Sequence, residues 1–291
     1  MARVHVAGVG KMGLPMAGHF HSAGHAVTVS DPSEARLLLA RGQGLQVAEA
    51  GAAMALADII VSSLPNDAAL RQVAAQVAGA VRRGAIYVDT STVSQQASGE
   101  VAQLLAAAGV AYLRTTVSGN NKMAEAAQLT VMASGPRAAY ESVLPLLKTL
   151  GPNQFYLGEA EQARLMKLVV NLMIAQTSAM LAEALTLGRK GGLAWADMWQ
   201  VLGASAVASP IVKAKSAQLS QRDFTPTFTV EQMLKDLTLI LGAGADSHVP
   251  LPQTALTFQL MQAALAQGDG QDDYAAIIKA VERSAGLSSD L

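Results

Sequence analysis

The chain has 291 residues, 51% of them hydrophobic, a formal net charge of −1 and no cysteine. Two domains with a sizeable core fit that length, and the balanced charge, free of one-sign blocks, argues against a nucleic-acid or membrane-surface footprint. Lack of cysteine excludes disulfides and thiol catalysis and suits a reducing compartment, so a cytoplasmic location is expected.

Residues 4–8 read as a first strand, reached directly from the N-terminus without a basic and then apolar leader pattern. A helix over 12–24 and a second strand over 26–30 follow. Further strands are expected at 59–63, 86–89, 111–113, 130–133 and 155–157. Helical patterns lie between most of them, for example 34–41 and 67–77. Such alternation with short connections implies a mainly parallel sheet covered on both faces.

Past residue 158 the strands stop. Residues 161–190 read as one long helix, ended by Gly191 and Gly192. Shorter helices are expected at 195–202, 211–219, 230–245, 253–267 and 274–284, with Pro210, Pro226, Pro250 and Pro252 between or before them. The fold class is therefore α/β: a doubly wound, Rossmann-type domain over residues 1–160, then an all-α domain over 161–291 joined through the long helix. The stretch 168–188 is long enough to span a bilayer, yet it carries Asn171, Gln176, Thr177, Ser178 and Glu183. It reads as a buried core helix, with no membrane partner.

Gly8, Gly10 and Gly13 form G-V-G-K-M-G between the first strand and the first helix, enclosing Lys11 and Met12. The first glycine permits the tight turn, the second lets backbone approach a pyrophosphate, and the third allows close helix–strand packing. Strand before and helix after make this a dinucleotide-binding loop. Asp31, at the end of the second strand, can accept hydrogen bonds from both adenosine ribose hydroxyls and repels a 2′-phosphate. NAD is accordingly favoured over NADP. The alternative reading of Asp31 is a turn residue before Pro32, and Arg36 or Arg41 would weaken the preference if either reached the ribose.

Lys167 and Asn171 are the strongly polar positions in the run MKLVVNLM. Spacing of four places both on one helical face. An ammonium there must be paired, solvated in a cleft or partly neutralised, and a lysine whose charge changes easily suits proton transfer. A lysine snorkelling from the helix edge is the alternative. Five scattered histidines show no ligand spacing, so no metal is expected, and His19 and His21 read as surface or packing residues.

Taken in order, several stretches resemble the β-hydroxyacid dehydrogenase family, which includes 3-hydroxyisobutyrate dehydrogenases and semialdehyde reductases. GVGKMGLPMA resembles its cofactor signature. SLPN, which contains Leu64, Pro65 and Asn66, and DTSTV, which contains Thr92, resemble its later cofactor-contacting loops. VSGN, with Ser118, Gly119 and Asn120, resembles its substrate segment. GEAEQARLMKLVVN resembles its catalytic stretch, and KDLTLIL at Lys235 its C-terminal motif.

The resemblance implies a nicotinamide-dependent oxidoreductase acting on a short 3-hydroxyacid or its semialdehyde. Lys167 would be the general acid/base and Asn171 would help hold the substrate. Ser118 and Gly119 would bind the substrate carboxylate. Lys235 would lie at the substrate and cofactor, as a cation able to lower the lysine's proton affinity, with Asp236 orienting it or joining helices. Phe228, seven residues before Lys235, would pack over the cofactor or in the core. A homodimer or homotetramer is implied as well.

The chain departs from the family in its substrate segment, and again downstream, where Ala127 replaces a glycine usual before the next strand. Where the substrate segment usually reads Asp-Ala-Pro-Val-Ser-Gly-Gly, here it is Arg114-Thr115-Thr116-Val117-Ser118-Gly119-Asn120. Asn120 and Lys122 would then contact a second polar group on the substrate, while Arg114 is expected to be solvated at the surface. Related readings are an imine reductase, which usually lacks the lysine, and 6-phosphogluconate dehydrogenase, whose pattern is Lys-x-x-His-Asn. A catalytically silent binding or scaffold relative is the reading from another class.

Overall fold

In the computed structural model, which describes residues 1–288, strand β1 (Arg3–Ala7) is buried from Val4 onward. It is followed by α1 (Gly13–Ser22), β2 (Ala26–Ser30), α2 (Glu34–Gly42), β3 (Gln46–Val47), α3 (Ala50–Leu56), β4 (Ile59–Ser62) and α4 (Asp67–Ala80). Next come β5 (Ile86–Asp89), α5 (Gln95–Ala107), β6 (Ala111–Ser118), α6 (Asn121–Glu125), β7 (Thr130–Ser134), α7 (Arg137–Leu147) and β8 (Asn153–Tyr156). The sheet order is β3-β2-β1-β4-β5-β6-β7-β8. Every pair is parallel except β6–β7.

Runs such as Ile59–Ser62, buried at every position, are what a parallel sheet covered on both faces demands. Met16, Phe20, Tyr140 and Val143 of α1 and α7 cover one face. Leu70, Val77, Val101 and Leu105 of α4 and α5 cover the other. β1 lies between β2 and β4, so the strand order reverses there. The carboxyl ends of β1 and β4 form the topological switch point, where open α/β sheets bind ligands.

His5, in the middle of β1, has no exposed surface, and its ring nitrogens lie 3.0 Å from Thr28 Oγ1 and 3.0 Å from Ser30 Oγ. Burial pushes its pKa down from the ordinary 6.5 to about 4. The unfolded chain therefore binds more protons between those values, and stability is lost as pH falls through that window. The loss should approach about 3 kcal/mol. Denaturant titrations of wild type and His5→Gln should show the variant losing this part of its pH dependence; superimposable profiles would show that His5 has the same pKa in the folded and unfolded chain.

The chain forms two compact units, Met1–Lys167 and Leu168–Leu291, dividing within helix α8 (Gln162–Lys190). After α8 come α9 (Trp195–Ala204), α10 (Pro210–Leu219), α11 (Val230–Asp246), α12 (Pro252–Ala264) and α13 (Ile277–Ser284). Trp199, Leu185, Leu237, Met261 and Ile277 lie in the core of the second unit. Buried carboxylates tie its helices. Glu282 pairs with Arg189 at 2.6 Å and Arg222 at 2.7 Å, and Asp273 pairs with Lys215 at 2.6 Å. By length and composition α8 could cross a membrane; 44% of its most apolar window is buried.

Several elements differ from the sequence expectation. β6 runs to Ser118 instead of stopping at 113, because Tyr112 to Val117 are all buried and Arg114 to Ser118 pair antiparallel with β7. The substrate-like segment therefore ends on a strand and opens directly into α6. The last strand sits at Asn153–Tyr156, not 155–157. α12 stops at Ala264 and continues as a π turn to Asp269, where Gly268 (φ 94°) breaks the helix expected to reach 267. Residues 274–276 form a 3-10 turn before α13.

Candidate functional site

The glycine loop follows β1 at the switch point. Gly8 has φ 90°, and a Cβ there would lie 2.4 Å from the Ser63 carbonyl oxygen. A Cβ on Gly13 would lie 1.9 Å from the Gly8 carbonyl oxygen, whereas one on Gly10 would meet nothing within 4 Å. Gly8 and Gly13 thus close the turn, and Gly10 leaves space beside it. No side chain caps α1 at Met12, so its first N–H groups have no side-chain acceptor, and Leu14 N donates to Gly10 O at 3.1 Å. Lys11 is exposed beside this turn.

Asp31 is half-buried and braces the loop. Its Oδ2 accepts from Val9 N at 2.9 Å and its Oδ1 from Ser33 N at 2.8 Å. The turn role and a ribose-facing role coexist, since a carboxylate has about four acceptor sites. Arg41 is paired with Glu34 at 2.5 Å, whereas Arg36 lines a surface cavity with Gly10, Lys11 and Gln43.

Two further loops meet the glycine turn. Ser63 N donates to Ala7 O at 3.0 Å, and Leu64 N donates to Ser91 Oγ at 2.8 Å. Asn66 caps α4 by accepting from Ala69 N at 3.0 Å, and Asp67 accepts from Ser94 Oγ at 2.6 Å. Leu64, Pro65, Asn66 and the half-buried Thr92 are thus held in two mutually bonded loops. Ser118 is half-buried at the end of β6, and Gly119 (φ 134°) turns the chain where a Cβ would press within 2.7 Å of Leu129. Asn120 caps α6, its Oδ1 accepting from Met123 N at 3.0 Å. Lys122 is exposed.

Arg114 is not solvated as expected. It is 6% exposed, its Nε donates to Glu161 Oε1 at 2.8 Å, and its guanidinium lies 4.6 Å from the Tyr112 ring centroid. Pairing and ring contact repay the desolvation that would otherwise keep an arginine outside. Arg164, passed over in the sequence, is also buried and paired with Asp89. The available signal was its position three residues before Lys167, on the same helical face.

Lys167 is half-buried on α8 and Asn171 is buried one turn on. In the helical unit Asn171 Nδ2 donates to Asp236 Oδ2 at 2.5 Å, and Lys235 Nζ pairs with Asp236 Oδ1 at 2.9 Å. Asp236 therefore does both things expected of it: it orients Lys235 and joins α8 to α11. Phe228 packs in the helical core, edge-on to Tyr274 at 6.2 Å. His19 Nε2 contacts Ala124 O at 2.8 Å, a packing role. Among the described residues no three His, Asp or Glu side chains converge as a metal site.

Residues 3–158 match the family model described as the NAD binding domain of 6-phosphogluconate dehydrogenase, and residues 162–281 match the NAD-binding model of NADP-dependent 3-hydroxyisobutyrate dehydrogenase. Over 286 residues the chain is 36% identical to 2-(hydroxymethyl)glutarate dehydrogenase of Eubacterium barkeri, covering 97% of this chain and 95% of that one. The chain belongs to the β-hydroxyacid dehydrogenase family.

This β-hydroxyacid dehydrogenase is also 31% identical to glyoxylate/succinic semialdehyde reductase 1 of Arabidopsis thaliana over 68% of each chain. Its fold matches the 3-hydroxyisobutyrate dehydrogenase of Mycobacterium tuberculosis, solved with L-serine, at a TM-score of 0.88 and 28% identity, over 96% of this chain and 98% of that one. It is an oxidoreductase that uses a nicotinamide cofactor and acts on a small hydroxyacid or semialdehyde. The uncapped α1 terminus and the open space at Gly10 fit the cofactor's pyrophosphate.

Proposed function

We propose that this β-hydroxyacid dehydrogenase interconverts a short 3-hydroxyacid and its semialdehyde, with Lys167 as general acid/base. The observation that carries this is the half-buried Lys167 on one face of α8 with Asn171, whose amide is fixed by Asp236. When bound, the nicotinamide supplies the hydride acceptor or donor. Lys167 takes the hydroxyl proton in oxidation and returns it to the carbonyl oxygen in reduction, stabilising the charge that develops there. Asn171 and Lys235 orient the substrate, and the Ser118 hydroxyl with the Gly119 N–H binds its carboxylate. Because the Asn120 carbonyl oxygen caps α6, its amide nitrogen is the group it offers a substrate, alongside the Lys122 ammonium.

The cofactor rests on Gly8, Gly10, Lys11, Met12 and Gly13, with Leu64, Pro65, Asn66 and Thr92 along its length. Phe228, partly buried with its ring edge-on to Tyr274, would pack over the cofactor or in the helical core. Asp31 favours NAD over NADP. The Asp31→Asn variant keeps an acceptor for the loop but loses the charge, and should shift the NADP-to-NAD preference about tenfold toward NADP. Steady-state kinetics with both cofactors measure this ratio; no change would move the preference to Arg36 and its neighbours.

The names of the relatives define the substrate panel: 2-(hydroxymethyl)glutarate, succinic semialdehyde, glyoxylate and 3-hydroxyisobutyrate. Following the absorbance of the reduced nicotinamide should give saturable turnover with one of them. Cofactor binding without turnover on any would favour a silent relative. A homodimer or homotetramer is supported by the exposed Met173, Met180 and Leu187, repeated every seventh residue along α8. The cysteine-free composition supports a cytoplasmic location, without membrane or nucleic-acid partners.

A further inference from the structure

The first turn of α8 carries a guanidinium that the proposed chemistry does not use. Arg164 is 1% exposed, and its donors reach three separate elements of the sheet unit. Nη2 pairs with Asp89 at the end of β5 and donates to the Tyr112 hydroxyl of β6 at 2.9 Å. Nη1 donates to the Ser91 carbonyl oxygen at 2.5 Å, and Nε to Ser98 Oγ of α5 at 3.3 Å. Asp89 Oδ1 accepts in turn from Ser62 Oγ at 2.5 Å and from Ser91 Oγ at 2.6 Å. Ser91 Oγ itself accepts from Leu64 N at 2.8 Å, in the loop that follows β4.

Stability alone does not account for this arrangement, because a fully buried ion pair seldom outperforms apolar packing of similar volume. What the pair adds is direction. A planar fork held by acceptors on three elements fixes the rotation of the helix about its axis, which a smooth apolar contact does not. Arg164, Lys167 and Asn171 stand at i, i+3 and i+7, one stripe of the same helix. Thr116 Oγ1 bonds Ala163 O at 2.9 Å and Ser134 Oγ bonds Ala160 O at 2.7 Å, so the approach to α8 is pinned from the same sheet.

We propose that Arg164 is a positioning residue: its buried pair with Asp89 locks the turn bearing Lys167 in register with the loops 63–66 and 89–93. The inference rests on the acid/base role given to Lys167. Asp89, Ser91 and Leu64 form the hydrogen-bonded line between those loops and the lysine's helix. A shift of that turn by about 1 Å misplaces the proton-transfer group at a cost of up to about a hundredfold in rate.

Removing Arg164 alone strands a buried carboxylate, so the informative protein is Arg164→Met with Asp89→Asn, which deletes both charges and keeps an acceptor for Ser62 and Ser91. Thermal unfolding, NADH and NADPH affinity by fluorescence, and kcat as a function of pH would be measured on the full chain. The expected result is affinity for the better-bound cofactor within about threefold of wild type, and kcat lower by about ten- to a hundredfold with a displaced pH limb. Wild-type kcat and pH profile would overturn the proposal. So would a loss of kcat matched by an equal loss of cofactor affinity at an unmoved pH limb, because that is a structural role.

Should the double variant fail to fold, Arg164→Lys keeps the charge but cannot engage Asp89, Ser91 and Tyr112 together. It should lower kcat in the same direction by a smaller factor; wild-type turnover there would also overturn the proposal. Lys167→Ala run in parallel separates the two readings. Normal turnover in Lys167→Ala removes the acid/base assignment itself. An inactive Lys167→Ala beside a fully active double variant removes only the role of Arg164.

Discussion

Lys167→Ala should lower kcat by about two to four orders of magnitude, the usual contribution of a positioned acid/base group. Cofactor affinity should stay within about twofold, since the proposed pyrophosphate contacts come from the loop after β1 and not from α8. Lys167→Arg should fail to restore activity, because a guanidinium holds its proton throughout the accessible pH range. Near-normal kcat in Lys167→Ala would sink the assignment. Equal losses of kcat and NADH affinity would instead indicate a collapsed helix, which thermal unfolding of the same variant would reveal.

Gly13→Ala should weaken the cofactor site far more than Gly10→Ala. The added Cβ would fall 1.9 Å from the Gly8 carbonyl oxygen, a backbone atom that cannot swing aside as a side-chain tip can. Either α1 or the turn must move, at about 1–3 kcal/mol of stability. Loss of the close approach should cost tenfold or more, roughly 1.4 kcal/mol, in cofactor affinity. Gly10→Ala is the internal contrast, because its Cβ would meet no protein atom within 4 Å. That variant should keep its thermal stability and lose affinity only through contact with the ligand. Unchanged stability and affinity in Gly13→Ala would show that the turn relaxes freely.

The glycine loop, the doubly wound order and the long helix were legible because each is written in local residues. Val4 to Ala7 ahead of Gly8, Gly10 and Gly13 state a strand, a turn and a helix start within about a dozen positions. Four-residue spacing alone set Lys167 and Asn171 on one face. Polar residues that cut a periodicity short hide the element they belong to. Thr115 and Thr116 end the apolar pattern of β6, yet both are buried, Thr116 through its bond to Ala163 O.

By itself, then, the sequence determined the fold class, the family, the cofactor loop and the helix that presents the lysine. Tertiary structure alone decided the fate of the charged groups around them. Arg114 is drawn inward by Glu161, 47 residues away, and Asn171 is held by Asp236, 65 residues away. Arg164 meets Asp89 across 75 residues. A charge is buried or solvated according to the partner that folding delivers to it. No periodicity or local spacing encodes that partner, so these residues acquire their roles only when the strands and helices have packed.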